Sequence, residues 1–227
     1  MDLYGQALVD FYNQRLQEVL WINTSYGEPE EMPVEVFFRT EEDMPELELI
    51  AMAECRGKVL DIGAGAGSHS LLLQNRLDTT ALEISKIACT IMQLRGVEKV
   101  KNQNIFEYQN EKFDTLLLLM NGIGLCGTIG RVRDFLQHAK KILNKGGSII
   151  FDSSDISYLY QEGVPMPMNY FGEVSFQYQY KSLRDRWFKW VYVDPETLIS
   201  LARQEGWRTE ILYQDDSDQY LARLTSL

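Results

Sequence analysis

A glycine-rich segment and an acidic residue that follows it are the parts of this sequence best suited to hold a ligand. Gly63, Gly65 and Gly67 come directly after a short apolar run. Glycine at such a turn lets the backbone bend sharply and approach a ligand with no Cβ in the way. Glu83 lies 22 residues after Asp61, at the end of the next apolar run. Because a carboxylate can accept two hydrogen bonds at once, this arrangement predicts a site for a ligand with a ribose.

Two classes of ligand suit such a turn, and the glycine spacing separates them. A dinucleotide turn would place its third glycine at position 68, but that residue is Ser68 and the glycine stands at 67. Asp61, directly before the turn, also disfavours a pyrophosphate, because two negative charges would lie close together. The same acid suits an ammonium group. S-adenosylmethionine carries an ammonium group, a sulfonium cation, an adenine and a free ribose, and is therefore the favoured ligand.

Four segments resemble the motifs of class I S-adenosylmethionine-dependent methyltransferases. Residues 61–67 are similar to the first motif of that family and residues 81–85 to the second. Residues 113–122 resemble the fourth-strand motif, and residues 143–150 resemble the segment that joins a helix to the fifth strand. The resemblance implies that the chain binds S-adenosylmethionine and transfers its methyl group.

The resemblance also implies a set of cofactor-binding residues. Family members commonly have an acid near the adenine amino group after the third strand, and Asn104 stands at that place here. An asparagine carbonyl can accept the same hydrogen bond. The residues assigned to the cofactor are Asp61, Gly63, Ala64, Gly65, Glu83, Ile84, Asn104, Ile105, Met120, Asn121 and Gly122.

Polar residues after the fourth and fifth strands are the candidates for contact with the methyl acceptor. Loops at the carboxyl ends of parallel strands form the ligand crevice of such sheets. Asn121, Asp152, Ser154 and Tyr158 lie in these loops, although Asp152 or Ser154 could equally cap a short helix. No catalytic residue is assigned, because transfer from an activated sulfonium can proceed by alignment and exclusion of water alone.

The two histidines and the three cysteines are expected to have no role in the chemistry. His69 falls in the first turn of a predicted helix, where the helix dipole disfavours the imidazolium form, so a structural role is favoured. His138 falls in the middle of another helix, beside two lysines. The cysteines lack the paired spacing of a metal site or a disulfide framework, so no metal is expected.

Short apolar runs alternate with helical stretches between residues 58 and 152, which predicts a parallel sheet with crossover helices. The resemblance implies a three-layer α/β, Rossmann-like fold: a mostly parallel seven-stranded sheet whose last strand is antiparallel. Helical spacing of apolar residues over 2–21 predicts an N-terminal helix, and the resemblance implies that this helix acts as a lid. Aromatic-rich segments at 174–180 and 187–193 add an antiparallel hairpin.

We expect a single methyltransferase domain over residues 1–227, with four parts. Residues 1–57 form an N-terminal helical cap and residues 58–152 the cofactor-binding core. Residues 153–193 form an insertion on the acceptor side, and residues 194–227 form the C-terminal helix and hairpin.

The charge of the chain bears on its partners. The 33 acidic and 22 basic residues give a formal charge of −11, which repels nucleic acids and anionic membranes. No apolar run is long enough to span a bilayer, and no signal segment is evident. We therefore expect a cytoplasmic enzyme with a small-molecule acceptor, no membrane partner and no nucleic-acid substrate.

Two other functions stay open at this point. The first is an NAD-dependent oxidoreductase of Rossmann type, which the glycine spacing and the lack of a recognisable tyrosine–lysine pair disfavour. The second is a non-catalytic scaffold or sensor that binds S-adenosylmethionine. The intact residues Asp61, Gly63, Gly65 and Glu83 argue for binding, but they do not separate a sensor from an enzyme.

Overall fold

The computed structural model describes residues 1–15, 18–109, 111–160 and 165–227. Within these ranges no helix is both long enough and apolar enough to cross a bilayer. The helices are α1 (Leu3–Tyr12), α2 (Glu46–Glu54), α3 (Ser68–Leu73), α4 (Lys86–Arg95), α5 (Ile129–Ile142) and α6 (Pro195–Gln204). The strands are β1 (Leu20–Thr24), β2 (Glu30–Met32), β3 (Lys58–Ile62), β4 (Asp78–Glu83), β5 (Val100–Asn102), β6 (Phe113–Leu118), β7 (Leu143–Ser154), β8 (Glu173–Tyr180), β9 (Leu183–Arg184), β10 (Phe188–Val191), β11 (Trp207–Gln214) and β12 (Gln219–Ser226). Short 3-10 helices cover Val34–Phe38, Glu41–Asp43, Ile105–Glu107, Gly122–Cys126 and Ser157–Tyr160.

The main sheet has seven strands in the order β11-β12-β7-β6-β3-β4-β5. Strands β3 to β7 pair in parallel, whereas β12 pairs antiparallel with β7. This arrangement confirms the predicted Rossmann-like fold with a mostly parallel sheet and an antiparallel last strand. The chain runs outward from β3 through β4 to β5 and then returns to the other side of β3 as β6. Sheets of this kind bind ligands outside the strand ends where the order reverses.

Both faces of the main sheet are covered, which explains the continuous apolar runs of its central strands. In β6, Leu116 and Leu118 pack into the cluster that includes α5 and α6, whereas Leu117 packs against α2. Successive side chains of a strand point to opposite faces, so all three leucines are fully buried. The central strands are thereby held rigid and carry the loops that follow them.

Three helix ends match their sequence signals. The Ser85 side chain accepts a hydrogen bond from the backbone N–H of Ala88 at the start of α4, and Gly96 ends that helix in the left-handed conformation. Asp194 caps α6 by accepting from the backbone N–H of Thr197, with proline in the first helical turn. Capping of this kind depends only on neighbouring residues, so the sequence alone indicates where these helices begin and end.

The predicted N-terminal helix over residues 2–21 is wrong in its second half. α1 ends at Tyr12, and residues 20 and 21 already belong to β1. Residues 16 and 17 of that prediction lie outside the described residues. Leu20 and Ile22 are buried and Trp21 is exposed, which is the alternation of a strand. Their helical spacing was misleading because strand pairing with residues more than 150 positions away decides the local structure.

The predicted hairpin forms, but as part of a larger sheet. β8 and β10 pair antiparallel, with Phe176 opposite Phe188, which confirms the hairpin itself. β1 then pairs with the other edge of β8, and β2 pairs with β1, so the order is β10-β8-β1-β2, with β9 also on β8. We call these five strands the second sheet. The N-terminal segment is therefore not only a helical lid: it supplies two strands that bind the insertion.

Candidate active site

A cavity of about 860 Å³ lies at the carboxyl ends of β3, β4 and β6. Its size falls in the range of small-ligand sites, roughly 300–1,000 Å³. The segment 61–66 and the end of β4 form one wall. α1, the second sheet and the segment before β10 form another wall through aromatic side chains, namely Tyr4, Tyr178, Trp187, Phe188 and Trp190.

The glycine-rich turn adopts a backbone that glycine alone enters without strain. Gly63, Gly65 and Gly67 have φ values of +73°, +57° and +86°. A Cβ on Gly65 would lie 2.8 Å from the hydroxyl oxygen of Tyr4, which reaches over the turn from α1. The turn therefore presents bare backbone to the cavity, and Tyr4 marks how closely the lid approaches it.

Glu83 links the end of β4 to the glycine turn. Its Oε2 accepts a hydrogen bond from the backbone N–H of Gly65 at 3.1 Å, and its Oε1 accepts from that of Ser85 at 2.8 Å. Burial raises the pKa of this carboxyl, and the backbone N–H groups oppose that rise. Each carboxylate oxygen keeps a further lone pair, so Glu83 can still accept the hydroxyl groups of a ribose.

Asp61 lies at the end of β3 and faces the same cavity. Its Oδ2 accepts a hydrogen bond from the Ser70 hydroxyl at 2.6 Å. Burial raises the pKa of Asp61, while His69 and Ser70 favour the ionised form. This places a buried acid beside the glycine turn, which suits the ammonium group that the sequence assigned to it.

His69 belongs to a buried chain of charged groups rather than to an isolated structural contact. Its Nε2 lies 2.7 Å from Oε2 of Glu48, and Arg39 donates to Oε1 of the same carboxylate at 2.5 Å. Burial disfavours the charged imidazole, but Glu48 and Asp61 outweigh it and raise the pKa of His69. Burial likewise works to raise the pKa of Glu48, yet His69 and Arg39 lower it.

The opposite end of the cavity contains residues predicted to contact the adenine. Asn104 lines the wall, and its Oδ1 accepts a hydrogen bond from the backbone N–H of Phe106 at 3.0 Å. Its Nδ2 group and the second lone pair of its Oδ1 remain available for hydrogen bonds with a ligand. Ile105 is buried and Ile84 is 71% exposed, and both line the cavity. The guanidinium of Arg131 lies 4.1 Å from the centre of the Phe106 ring.

The turn after β6 is held in an unusual backbone conformation. Met120 and Asn121 have φ values of +63° and +55°, a region that costs free energy for residues other than glycine. Both carboxylate oxygens of Asp152 accept from the backbone N–H of Asn121, at 2.8 and 2.9 Å. The Ser154 hydroxyl donates to Oδ1 of Asn121 at 2.9 Å. These hydrogen bonds from the end of β7 therefore offset the free-energy cost of the strained backbone at this turn.

The predicted acceptor residues are not brought together in the cavity. Asp152 and Ser154 are absent from its walls among the described residues, because their polar atoms are turned onto Asn121. They do not cap a helix either. Asn121 contributes the turn, whereas its neighbours Met120 and Gly122 line the cavity. Tyr158 is 55% exposed and lies outside the cavity wall.

Aromatic side chains of the predicted hairpin form a wall of the cavity. Trp190 packs so closely on the loop after β6 that a Cβ on Gly124 would lie 2.0 Å from its indole nitrogen. Phe188 and Tyr178 lie beside it, with ring centres 5.1 Å apart. Nothing local in the sequence indicates that this aromatic face packs on the loop after β6.

Comparison with solved structures identifies the fold family. No protein-family model matches the chain, and no curated protein matches its sequence. A methyltransferase dependent on S-adenosylmethionine from Bacteroides fragilis, solved with S-adenosyl-L-homocysteine, is 36% identical; its TM-score is 0.92, and the match covers 99% of this chain and 94% of that one. DesVI from Streptomyces venezuelae is 17% identical with a TM-score of 0.57, covering 80% and 91%, and shares the fold.

The residues in the cavity fit the ligand of that family. The bare backbone at Gly65 allows close approach, Glu83 keeps free acceptors for a ribose, and Asp61 places a carboxylate at the end that would meet an ammonium group. Neither the glycine spacing nor the Bacteroides relative supports the nicotinamide alternative. The chain belongs to the class I S-adenosylmethionine-dependent methyltransferases, and S-adenosylmethionine is its cofactor.

Proposed function

We propose that this protein transfers a methyl group from S-adenosylmethionine to a small-molecule acceptor held between the cofactor and the second sheet. The proposal rests on the way α1 and the second sheet cover the cavity; we call these elements the cover. α1 lies above the glycine turn, with the Tyr4 hydroxyl close to Gly65, and Trp190 closes the side next to the loop after β6. A small acceptor fits beneath such a cover, whereas a folded protein or a duplex does not.

The cover is fastened by polar contacts at the start of α1. Asp2 accepts a hydrogen bond from the Ser85 hydroxyl at 2.5 Å and one from the backbone N–H of Gly5 at 2.7 Å. Asp185, in the second sheet region, accepts from the backbone N–H of Leu3 at 3.3 Å. These contacts join the lid to the core on one side and to the second sheet on the other.

The charge of the chain supports the same acceptor class. A formal charge of −11 repels phosphate backbones, so association with a nucleic acid would be slow and weak unless a local basic surface compensated. Of the described basic side chains at the cavity, Arg131 already stacks on Phe106. A small acceptor needs no such surface.

The chain's own residues would act by binding, orienting and excluding water. The bound cofactor supplies a methyl group on a sulfonium, which is already activated for displacement. Glu83 and the glycine turn hold the nucleoside part, and the strained turn at Met120 and Asn121 shapes the wall near the strand ends. Tyr178 and Trp190 form an apolar face that keeps water from the reacting atoms. An acceptor with a hydroxyl or a protonated amine also needs a base to take its proton, and no described residue is assigned to that role.

The experiment is methyl transfer from labelled S-adenosylmethionine into a metabolite extract, with separate protein and RNA fractions. We expect the label in the small-molecule fraction only. Glu83→Gln is expected to lose most of the transfer, whereas Glu98→Gln, an exposed acid outside the cavity wall, should keep it. Label confined to protein or RNA would contradict the small-molecule acceptor. Absence of label from every fraction would favour the scaffold or sensor.

A further inference from the structure

One histidine stands at the end of the cavity where the amino-acid part of the cofactor would lie. His69 lines the cavity beside Asp61 and the glycine turn. We propose that His69 is a cofactor-binding residue that, in its protonated form, donates from Nδ1 to the carboxylate of the methionine part of S-adenosylmethionine. The inference depends on the cofactor and not on the identity of the acceptor.

The geometry leaves one nitrogen of His69 for a ligand. Nε2 is engaged with Glu48 at 2.7 Å. Among the described residues none forms a hydrogen bond with Nδ1, and the ring belongs to the cavity wall. Glu48 is itself held by Arg39, so the imidazole cannot easily turn away. A carboxylate that holds one ring nitrogen orients the other toward its ligand, as in many metal and catalytic sites.

The other basic side chains of the cavity wall belong to other parts of the wall. Arg131 stacks on Phe106 at the end assigned to the adenine. Lys86 opens α4, beyond Glu83, and the two remaining cations belong to the region of the second sheet. The basic side chains that line the cavity, within the described residues, are Lys86, Arg131, Arg186 and Lys189, besides His69. His69 is thus the cation next to Asp61.

The charges around His69 match a ligand that is a zwitterion. Glu48 faces the ring from α2, Asp61 faces it from β3, and Arg39 approaches from the segment before α2. The two acids raise the pKa of His69 and favour the imidazolium. Asp61 can then meet the ammonium group while His69 meets the carboxylate. A neutral His69 would leave that carboxylate facing two acids, which is electrostatically unfavourable.

The test compares two ligands that differ only in the carboxylate. Calorimetry measures the affinity of S-adenosylmethionine and of decarboxylated S-adenosylmethionine for wild type and for His69→Gln. Loss of a charge-assisted hydrogen bond predicts that His69→Gln binds S-adenosylmethionine about 10- to 100-fold more weakly. The affinity for the decarboxylated compound should change by less than about twofold, because that compound never makes this bond. His138→Gln, which alters the histidine of α5, is the matched control and should change neither affinity.

A second measurement needs no variant, and it decides the matter if His69→Gln fails to fold. In the wild type, the preference for S-adenosylmethionine over the decarboxylated compound should be present at low pH and disappear as the pH rises through the pKa of His69. A preference that stays constant with pH, or an equal loss of affinity for both ligands in His69→Gln, would overturn the proposal. Methyl transfer is not measured, so the outcome is independent of the acceptor.

Discussion

Gly124 offers a direct test of how the second sheet is seated on the core. In Gly124→Ala the new Cβ would lie 2.0 Å from Nε1 and 2.1 Å from Cε2 of Trp190. Ordinary van der Waals contact begins at 3.4 Å, so the indole must shift by about 1.4 Å. Gly124 does not have a positive φ, so the effect is steric and not a backbone penalty. The indole has little room to turn aside, because it packs beside the rings of Phe176 and Phe188.

The expected cost follows from the packing of this contact. Overpacking a well-packed interior typically costs about 1–3 kcal/mol. For a chain of this size that lowers the melting temperature by about 2–4 °C per kcal/mol, so about 2–12 °C in all. Thermal unfolding measures this change in melting temperature, and tryptophan fluorescence detects the displacement of the Trp190 indole. Affinity for S-adenosylhomocysteine should stay within about twofold of wild type, because Glu83 and the glycine turn are untouched.

Two variants make the test decisive. Gly130→Ala is the matched control, because the nearest atom to its Cβ is Oγ1 of Thr128 at 4.0 Å and the position is helical. It should leave stability unchanged or raise it by up to about 1 kcal/mol. Replacing the indole with a smaller side chain, in the double variant Gly124→Ala/Trp190→Leu, should recover part of the lost stability. If Gly124→Ala melts and fluoresces like the wild type, the close contact between the second sheet and the loop is refuted.

Three further predictions concern acidic residues. In Glu83→Gln, the amide NH₂ group would face one of the two backbone N–H donors that now bind the carboxylate. We expect calorimetry to show S-adenosylhomocysteine binding that is about 10- to 100-fold weaker. An unchanged affinity would show that Glu83 does not bind the cofactor. Burial raises the pKa of Asp152 to about 6, so its ionisation destabilises the fold as the pH rises from about 4 to 6. The unfolding free energy of Asp152→Asn, measured relative to wild type, should therefore rise over that interval by up to about 3 kcal/mol, and a flat difference would contradict the buried charge. Asp194→Ala removes the cap of α6 and its bond from the Tyr170 hydroxyl, so a loss of about 1–2 kcal/mol is expected in denaturant unfolding, and no loss would contradict the cap.

The order of elements in the core could be predicted because its signals are local. A strand buried on both faces must be continuously apolar, a cap bonds within three residues, and a left-handed turn needs glycine. Leu116 to Leu118, Ser85 and Gly65 each satisfy one of these conditions. The distance from the glycine turn to Glu83 is likewise set by one helix and one strand.

The roles of the acceptor-side residues could not be predicted, because they depend on contacts between distant parts of the chain. The sequence places Asp152 among the acceptor residues, and the parallel pairing of β6 with β7 brings its carboxylate to the backbone of Asn121. His69 looked structural, yet the packing of α2 places Glu48 on one side of its ring and the cavity lies on another.

By itself the sequence determined the parallel core, the glycine turn and the acid that follows β4, since each depends on residues near one another in the chain. Only the tertiary structure decided that residues 21–24 pair with β8, and that the end of the predicted helix, at residues 20 and 21, belongs to a strand. The sheet built by this pairing carries aromatic side chains that line the cavity. The physical reason is that strand hydrogen bonds and side-chain burial are satisfied by partners about 150 residues away, which no local spacing encodes.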